Sequence, residues 1–209
     1  GRKRRVWAGL AGMFVAIHVT LVLENIFTWA PMADEPAHVA AGVVYALTGE
    51  FDLYNVNPPL ARLMGAVPAL LLMDVPPLSR RSDENTDVRL EWIIGRDFFV
   101  NNQHSLEFLQ GARLCSLIAS VWVAWMILGW ATRIAGRVGG LCAVGLWCFS
   151  PTVISSAATF GTDMPAAATI LAAVMAFERV LKTRAWHDTL AAGLLLGIAF
   201  LTKFTSLAL

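Results

Sequence analysis

The chain has 209 residues, 57% hydrophobic and only 15% charged, with a mean hydropathy of +0.61. Ordinary soluble domains are ~45–50% apolar and ~25% charged, so the composition excludes a water-soluble globule and points to an all-α polytopic membrane protein. Sixteen Lys and Arg against fifteen Asp and Glu leave a net charge of +1, which gives no basic surface for nucleic acid.

The chain opens on "GRKRR" and the apolar run Val6 to Leu23. A basic start before an apolar run also begins a signal peptide, but this run is longer than a signal core and lacks a small-residue cleavage site. An uncleaved first span over residues 6–27 is expected, long enough for a hydrocarbon core ~30 Å thick. His18 lies within it and is expected to be a packed, neutral histidine, since intramembrane ionisable groups are rare and usually partnered.

A loop over 28–111 follows. It holds eleven acids against five arginines and no lysine. In "APMADEPAHVAAGVVYALTGE", Asp34 fits a helix N-cap, Glu35 and Pro36 fit the first turn, and Gly49 ends the helix. A capping acid beside the helix dipole is the plain reading of Asp34. Glu35 and His38 are three apart and share a helix face with Asp34 nearby. Acids and an imidazole converging at a membrane surface can accept protons or hold a cation. No further ligand accompanies them, so no metal and no other cofactor is assigned.

In "NVNPPLARL", Pro58 and Pro59 fix an extended entry into a helix whose first turn carries Arg62. That geometry would present Asn57 and Arg62 towards the acids. The helix "LARLMGAVPALLLM", residues 60–73, is short and broken by Pro68, which suits the interface better than a crossing. "DVPPLSRRSDENTDVRLEW", residues 74–92, is polar and turn-rich and reads as an exposed connector.

Four further spans are expected over 112–131, 138–154, 164–181 and 189–209. The turns "TRIAGR" and "ERVLKTRAWHD" between them are basic. With alternating spans both turns share a side with the initial "GRKRR", and the positive-inside rule makes that side cytoplasmic, with Trp7, Trp130 and Trp186 near its interface. Loop 28–111 and the short turn before Asp163 then lie outside. Lys203, about fourteen residues into the last span, would sit some ~20 Å across, in the outer half of the bilayer. An intramembrane lysine needs a partner; Asp163 is one, and a lipid phosphate is another, because ammonium groups bind phosphate oxygens as point charges. Cys115, Cys142 and Cys148 all fall in apolar stretches and read as packing residues.

Taken together, "DEPAH", "NPPLARL", "SPTVISSAATFGTDMPAA" and "GLLLGIAFLTKFTSL", in this order after an N-terminal span, resemble the N-terminal half of membrane glycosyltransferases of the GT-C fold, in the protein O-mannosyltransferase and aminoarabinose transferase superfamily. The resemblance covers essentially residues 1–209 and implies one transmembrane domain completed by further spans downstream, so the 209 residues alone are not expected to be active. It implies transfer of a sugar from a polyprenyl-phosphate donor to a protein, lipid or glycan acceptor at the extracytoplasmic face, in a multi-pass plasma (inner) membrane protein with a cytoplasmic N-terminus. It places Asp34 at the active site as the catalytic carboxylate with Glu35 beside it, and His38, Asn57, Arg62, Asp163 and Lys203 around the substrates. The family often has His or Lys before Pro-Pro and a Lys after it; Asn57 and Arg62 stand there in this chain, and Asn57 cannot ionise.

In the implied mechanism Asp34 takes the acceptor's proton while Lys203 and Arg62 stabilise the departing phosphate. No nucleotide is needed outside the cell, which fits the absence of a phosphate-binding loop: "RIAGRVGG" lacks the Lys-Ser/Thr of one. The competing class is a transporter, in which Asp163 and Lys203 would form a buried relay. It leaves the acid pair and the Pro-Pro motif of the loop without a role. A scaffold subunit would need no chemistry in the loop at all.

Overall fold

A computed structural model describes residues 2–72 and 89–208. Eight α-helices occupy them: α1 Arg2–Thr28, α2 Glu35–Thr48, α3 Leu60–Leu72, α4 Leu90–Asn101, α5 Ser105–Phe149, α6 Pro151–Ala158, α7 Asp163–Thr183 and α8 Trp186–Thr202, with a 3₁₀ turn at Phe204–Ala208. There is no strand among the described residues. The connector expected over 74–92 lies outside them up to residue 88.

The 45-residue α5 is a hairpin. Ala135 (φ −120°, ψ 15°) and Gly136 (φ 70°, ψ −174°) leave helical geometry, and Gly136 takes a positive φ that side chains disfavour. The chain reverses there: Trp147 Nε1 donates to the Ser120 carbonyl (3.2 Å), and a Cβ on Gly140 would fall 2.1 Å from Thr132 Oγ1. "TRIAGR" is therefore a turn between two antiparallel limbs. The second limb stops at Ser150, where Pro151 starts α6 because proline lacks the N–H that would continue the ladder.

Three helices, α1 from Val6, α5 and α7, are long and apolar enough to cross a membrane, and α8 is a shorter apolar helix. The exposure pattern is that of a protein bathed in lipid. Ala11, Val15, His18, Val22 and Ile26 of α1 are buried, whereas Val6, Leu10, Met13, Ile17 and Leu21 are exposed, so both faces are apolar and only one is packed. In α8, Leu190, Leu194, Ile198 and Leu201 face outward in the same way.

Lipid tails are as apolar as leucine, so specificity between spans comes from close packing and polar bonds. His18 supplies one: Nδ1 lies 2.9 Å from the Cys148 carbonyl oxygen and Nε2 lies 2.9 Å from Ser120 Oγ. It is packed, as its apolar surroundings predict, and bridges α1 to both limbs of α5.

At one end of this bundle lie the start of α1 and the turns at 132–137 and 183–186. Trp7 Nε1 donates to the Arg137 carbonyl (2.9 Å), Arg133 reaches Glu178 across the two turns (3.7 Å), and Arg179 pairs with Asp188 (3.0 Å). The two basic turns and the N-terminus of α1 thus share one end.

At the other end α2, α3 and α4 form a cap over the start of α5. Ala37, Val39, Ala40, Val43 and Tyr45 of α2 are buried with Ile94 and Phe98 of α4 and with Phe108, Leu109 and Ala112 of α5. Gly42 and Gly95 permit this: a Cβ on Gly42 would stand 2.2 Å from the Arg62 carbonyl oxygen, and one on Gly95 would stand 2.7 Å from the Ala37 nitrogen. At 13 residues, α3 spans only about 20 Å and is too short to cross.

Candidate functional site

The loop acids meet the bundle through one buried ion pair. Glu35 begins α2, and Arg113 sits in the first limb of α5; their side chains are 2% and 1% exposed. Arg113 Nε donates to Glu35 Oε1 (2.8 Å) and NH2 to Oε2 (2.7 Å). The same guanidinium donates to the carbonyls of Ile26, in the last turn of α1 where helical partners run out, and of Trp29 and Ala30 just past it, each at 3.0 Å. Glu35 also accepts from the N–H of Met32 (2.7 Å) and Phe160 (2.7 Å). One pair thereby ties the end of α1, the start of α2, α5 and the turn before α7. Its carboxylate is filled by four donors, so Glu35 does not face the solvent beside Asp34.

Asp34 is exposed. It holds the N-cap position of α2, but its backbone is helical (φ −82°, ψ −21°) and its side chain makes no capping hydrogen bond. This departs from the capping expectation, for a local reason. A capping residue takes extended backbone to turn its side-chain oxygen onto the N–H of the second or third helical position; Asp34 is helical instead, and the second position, Pro36, has no N–H to offer. The charge of Asp34 reaches Tyr54, whose phenol is pushed up first by burial and then by that charge.

His38, one turn on, is buried. Its ring stacks on Tyr54 (centroids 4.9 Å apart, 22° between planes), and Nδ1 accepts from Arg62 Nε (3.1 Å). Arg62 is fully buried. Its NH1 donates to the carbonyls of Tyr54 (2.9 Å) and Asn57 (2.8 Å), and its guanidinium carbon lies 4.0 Å from the Tyr54 ring centroid. The Pro-Pro entry thus aims Arg62 at the imidazole and not at open solvent. Asn57 takes part through its backbone carbonyl.

Burial, and secondarily the Arg62 charge, hold the His38 imidazole down to about 4, with Asp163 opposing. The unfolded histidine protonates near 6.5, so the folded state alone keeps His38 neutral between the two values. Its contribution to stability is complete above pH 6.5 and falls away as pH drops towards 4, by about 3 kcal/mol in all. Thermal unfolding of the wild type in detergent should weaken across that window more steeply than in a His38→Asn variant. Parallel pH curves would contradict the assignment.

Asp163, the first residue of α7, and Lys203, which follows the last residue of α8, form an ion pair in which the aspartate is 73% and the lysine 25% exposed. The last helix stops at Thr202, short of the 209 expected, because Lys203 is extended (φ −155°, ψ 138°). The ammonium is therefore at a helix end, not inside a span. The Phe160 N–H bonded to Glu35, and the Phe160 ring 6.3 Å from that of His38, bring the turn before Asp163 onto the start of α2, so Asp34 and the Asp163–Lys203 pair lie at the same end of the molecule, opposite the basic turns.

Sequence reasoning singled out Asp34, Glu35, His38, Asn57, Arg62, Asp163 and Lys203 and missed Arg113 and Tyr54. Arg113 carried a signal, an arginine one residue into an apolar span. Tyr54 carried none, since an aromatic in a turn-rich stretch has no periodicity to mark it.

A family sequence model described as dolichyl-phosphate-mannose-protein mannosyltransferase matches residues 104–209. The match includes Arg113, Asp163 and Lys203; Asp34, Glu35, His38, Asn57 and Arg62 precede it. No curated protein and no solved structure matches the chain.

Proposed function

Because the chain belongs to the dolichyl-phosphate-mannose-protein mannosyltransferase family, and is thus a membrane glycosyltransferase of the mannosyltransferase type, we propose that it moves a sugar from a polyprenyl-phosphate donor to an acceptor hydroxyl at the extracytoplasmic face. The protein would lie in the plasma (inner) membrane with its N-terminus cytoplasmic, since the basic turns gather at the end opposite the acids. The family's description favours a protein acceptor over a lipid or glycan.

The observation that carries this reading is the arrangement at that end: an exposed carboxylate with no capping bond, Asp34, at the same end of the molecule as an ammonium at a helix end, Lys203. In the transfer the acceptor oxygen bonds to the anomeric carbon as the bond from that carbon to the phosphate oxygen breaks. The acceptor's proton passes to Asp34, and the electron pair leaves with the polyprenyl phosphate. Asp34 acts as general base, and Lys203 stabilises the charge that develops on the leaving phosphate.

The remaining residues take supporting roles. Arg113 and Glu35 hold the start of α2, and with it Asp34, against α1 and the turn before Asp163. Arg62 is a positioning residue: it is buried and fixes His38 and the 54–57 turn. The transporter alternative needs Asp163 and Lys203 as a midplane relay, and their places at helix ends do not supply one.

Lys203→Ala should raise the KM for the polyprenyl-phosphate donor by roughly tenfold, the loss of one hydrogen bond to a charged group, while expression and insertion stay normal. Unchanged donor affinity would defeat the role given to Lys203.

A further inference from the structure

The ammonium proposed to hold the donor's phosphate is already taken. Lys203 Nζ is paired with Asp163 Oδ1, and the two residues reach this contact from rigid backbones. Lys203 is fixed on one side by its N–H to the Ala199 carbonyl (3.2 Å) and on the other by the Ser206 N–H to its own carbonyl (3.1 Å). Ser206 Oγ adds a bond to the Ala199 carbonyl (2.8 Å). Asp163 starts α7, and its carboxylate stands at the positive end of that helix. Opening the pair needs only side-chain rotation, and the exposed aspartate regains water when it lets go.

We propose that Asp163 is an internal stand-in for the phosphate: it occupies Lys203 between turnovers, yields it to the donor, and takes it back to expel the product. The inference rests on the donor reading given above and adds to it a direction for product release. The donor's phosphate is a diester with one negative charge. Once the sugar–phosphate bond has broken, the product is a monoester carrying close to two charges at neutral pH, as phosphomonoesters with a second pKa near 6 do. A lone lysine would therefore hold the product more tightly than the substrate. A carboxylate beside it, covalently tethered and always present, competes with both and repels the more highly charged product more.

The test measures binding of farnesyl phosphate, a short polyprenyl monophosphate, to the full-length protein in detergent by titration calorimetry, and its inhibition of sugar transfer. Asp163→Asn and Asp163→Ser, which both suit a helix start, should tighten binding about two- to fivefold, the range of a partly exposed ion pair, and strengthen product inhibition to match. Asp163→Glu, which keeps the charge, should bind as the wild type does. Unchanged or weaker binding in both neutral variants, with Lys203→Ala also weakened, overturns the stand-in while leaving the donor reading intact. If Lys203→Ala binds farnesyl phosphate as well as the wild type, the donor reading itself falls, and this inference with it.

Discussion

Asp34→Asn should lower sugar transfer by about 10²–10⁴-fold, the range over which a positioned general base contributes, in protein that still inserts, folds and binds donor. The substitution separates the two roles open to this residue. Asparagine caps helices as well as aspartate does, so a residue that only capped α2 would tolerate the change with transfer intact. Asp34 makes no capping bond, its backbone being helical and not extended as a cap requires, with Pro36 at the second helical position. Its neighbour Glu35 reaches back to the Met32 N–H instead (2.7 Å). The carboxylate of Asp34 is left exposed. Rates within a few-fold of wild type in the Asn variant would remove it from the mechanism.

The largest effect on the fold should come from breaking the Glu35–Arg113 pair. Glu35→Ala and Arg113→Ala are each expected to destabilise the protein by about 3–5 kcal/mol, because each leaves its partner as a buried charge without compensation. Arg113→Ala additionally strands the carbonyls of Ile26, Trp29 and Ala30, and Glu35→Ala strands the Phe160 N–H. The double variant should cost much less than the sum, since no lone charge remains. Thermal unfolding in detergent reads all three. Losses under ~1 kcal/mol in the single variants would show that the pair holds nothing together.

The all-α, apolar character of the chain was legible in the sequence because lipid imposes a length and an apolar surface on each helix. Which face of α1 packs was not legible: both are apolar, and the buried stripe at 11, 15, 18, 22 and 26 is set by what α1 meets in the bundle. The turn at "TRIAGR" was readable from its basic residues and from Gly136. The end of the last helix was not. "LTKFTSLAL" stays apolar past Thr202, and the stop is set by Lys203 turning towards Asp163, forty positions earlier in the chain.

The candidate site was legible as a set of residue types and illegible as a geometry. Asp34, His38, Arg62 and Lys203 stood out as charged or ionisable groups beside apolar runs. That Glu35 turns inward while Asp34 turns outward depends on Arg113, 78 positions away, and on the bundle end that the two of them close. In the same way Arg62 reads from sequence as a cation presented to a substrate, and only the cap packing commits it to His38.

The proposed transfer requires Asp34 and Lys203 to open onto one face of the membrane. Single cysteines at Ala33, Phe204 and Ile134, in protein whose three native cysteines are replaced by serine or alanine, can be labelled in sealed, oriented vesicles with a membrane-impermeant maleimide. Ala33 and Phe204 should react from the same face, and Ile134, in the basic turn, only from the opposite one. Labelling of Ala33 and Phe204 from opposing faces would contradict the proposed enzyme.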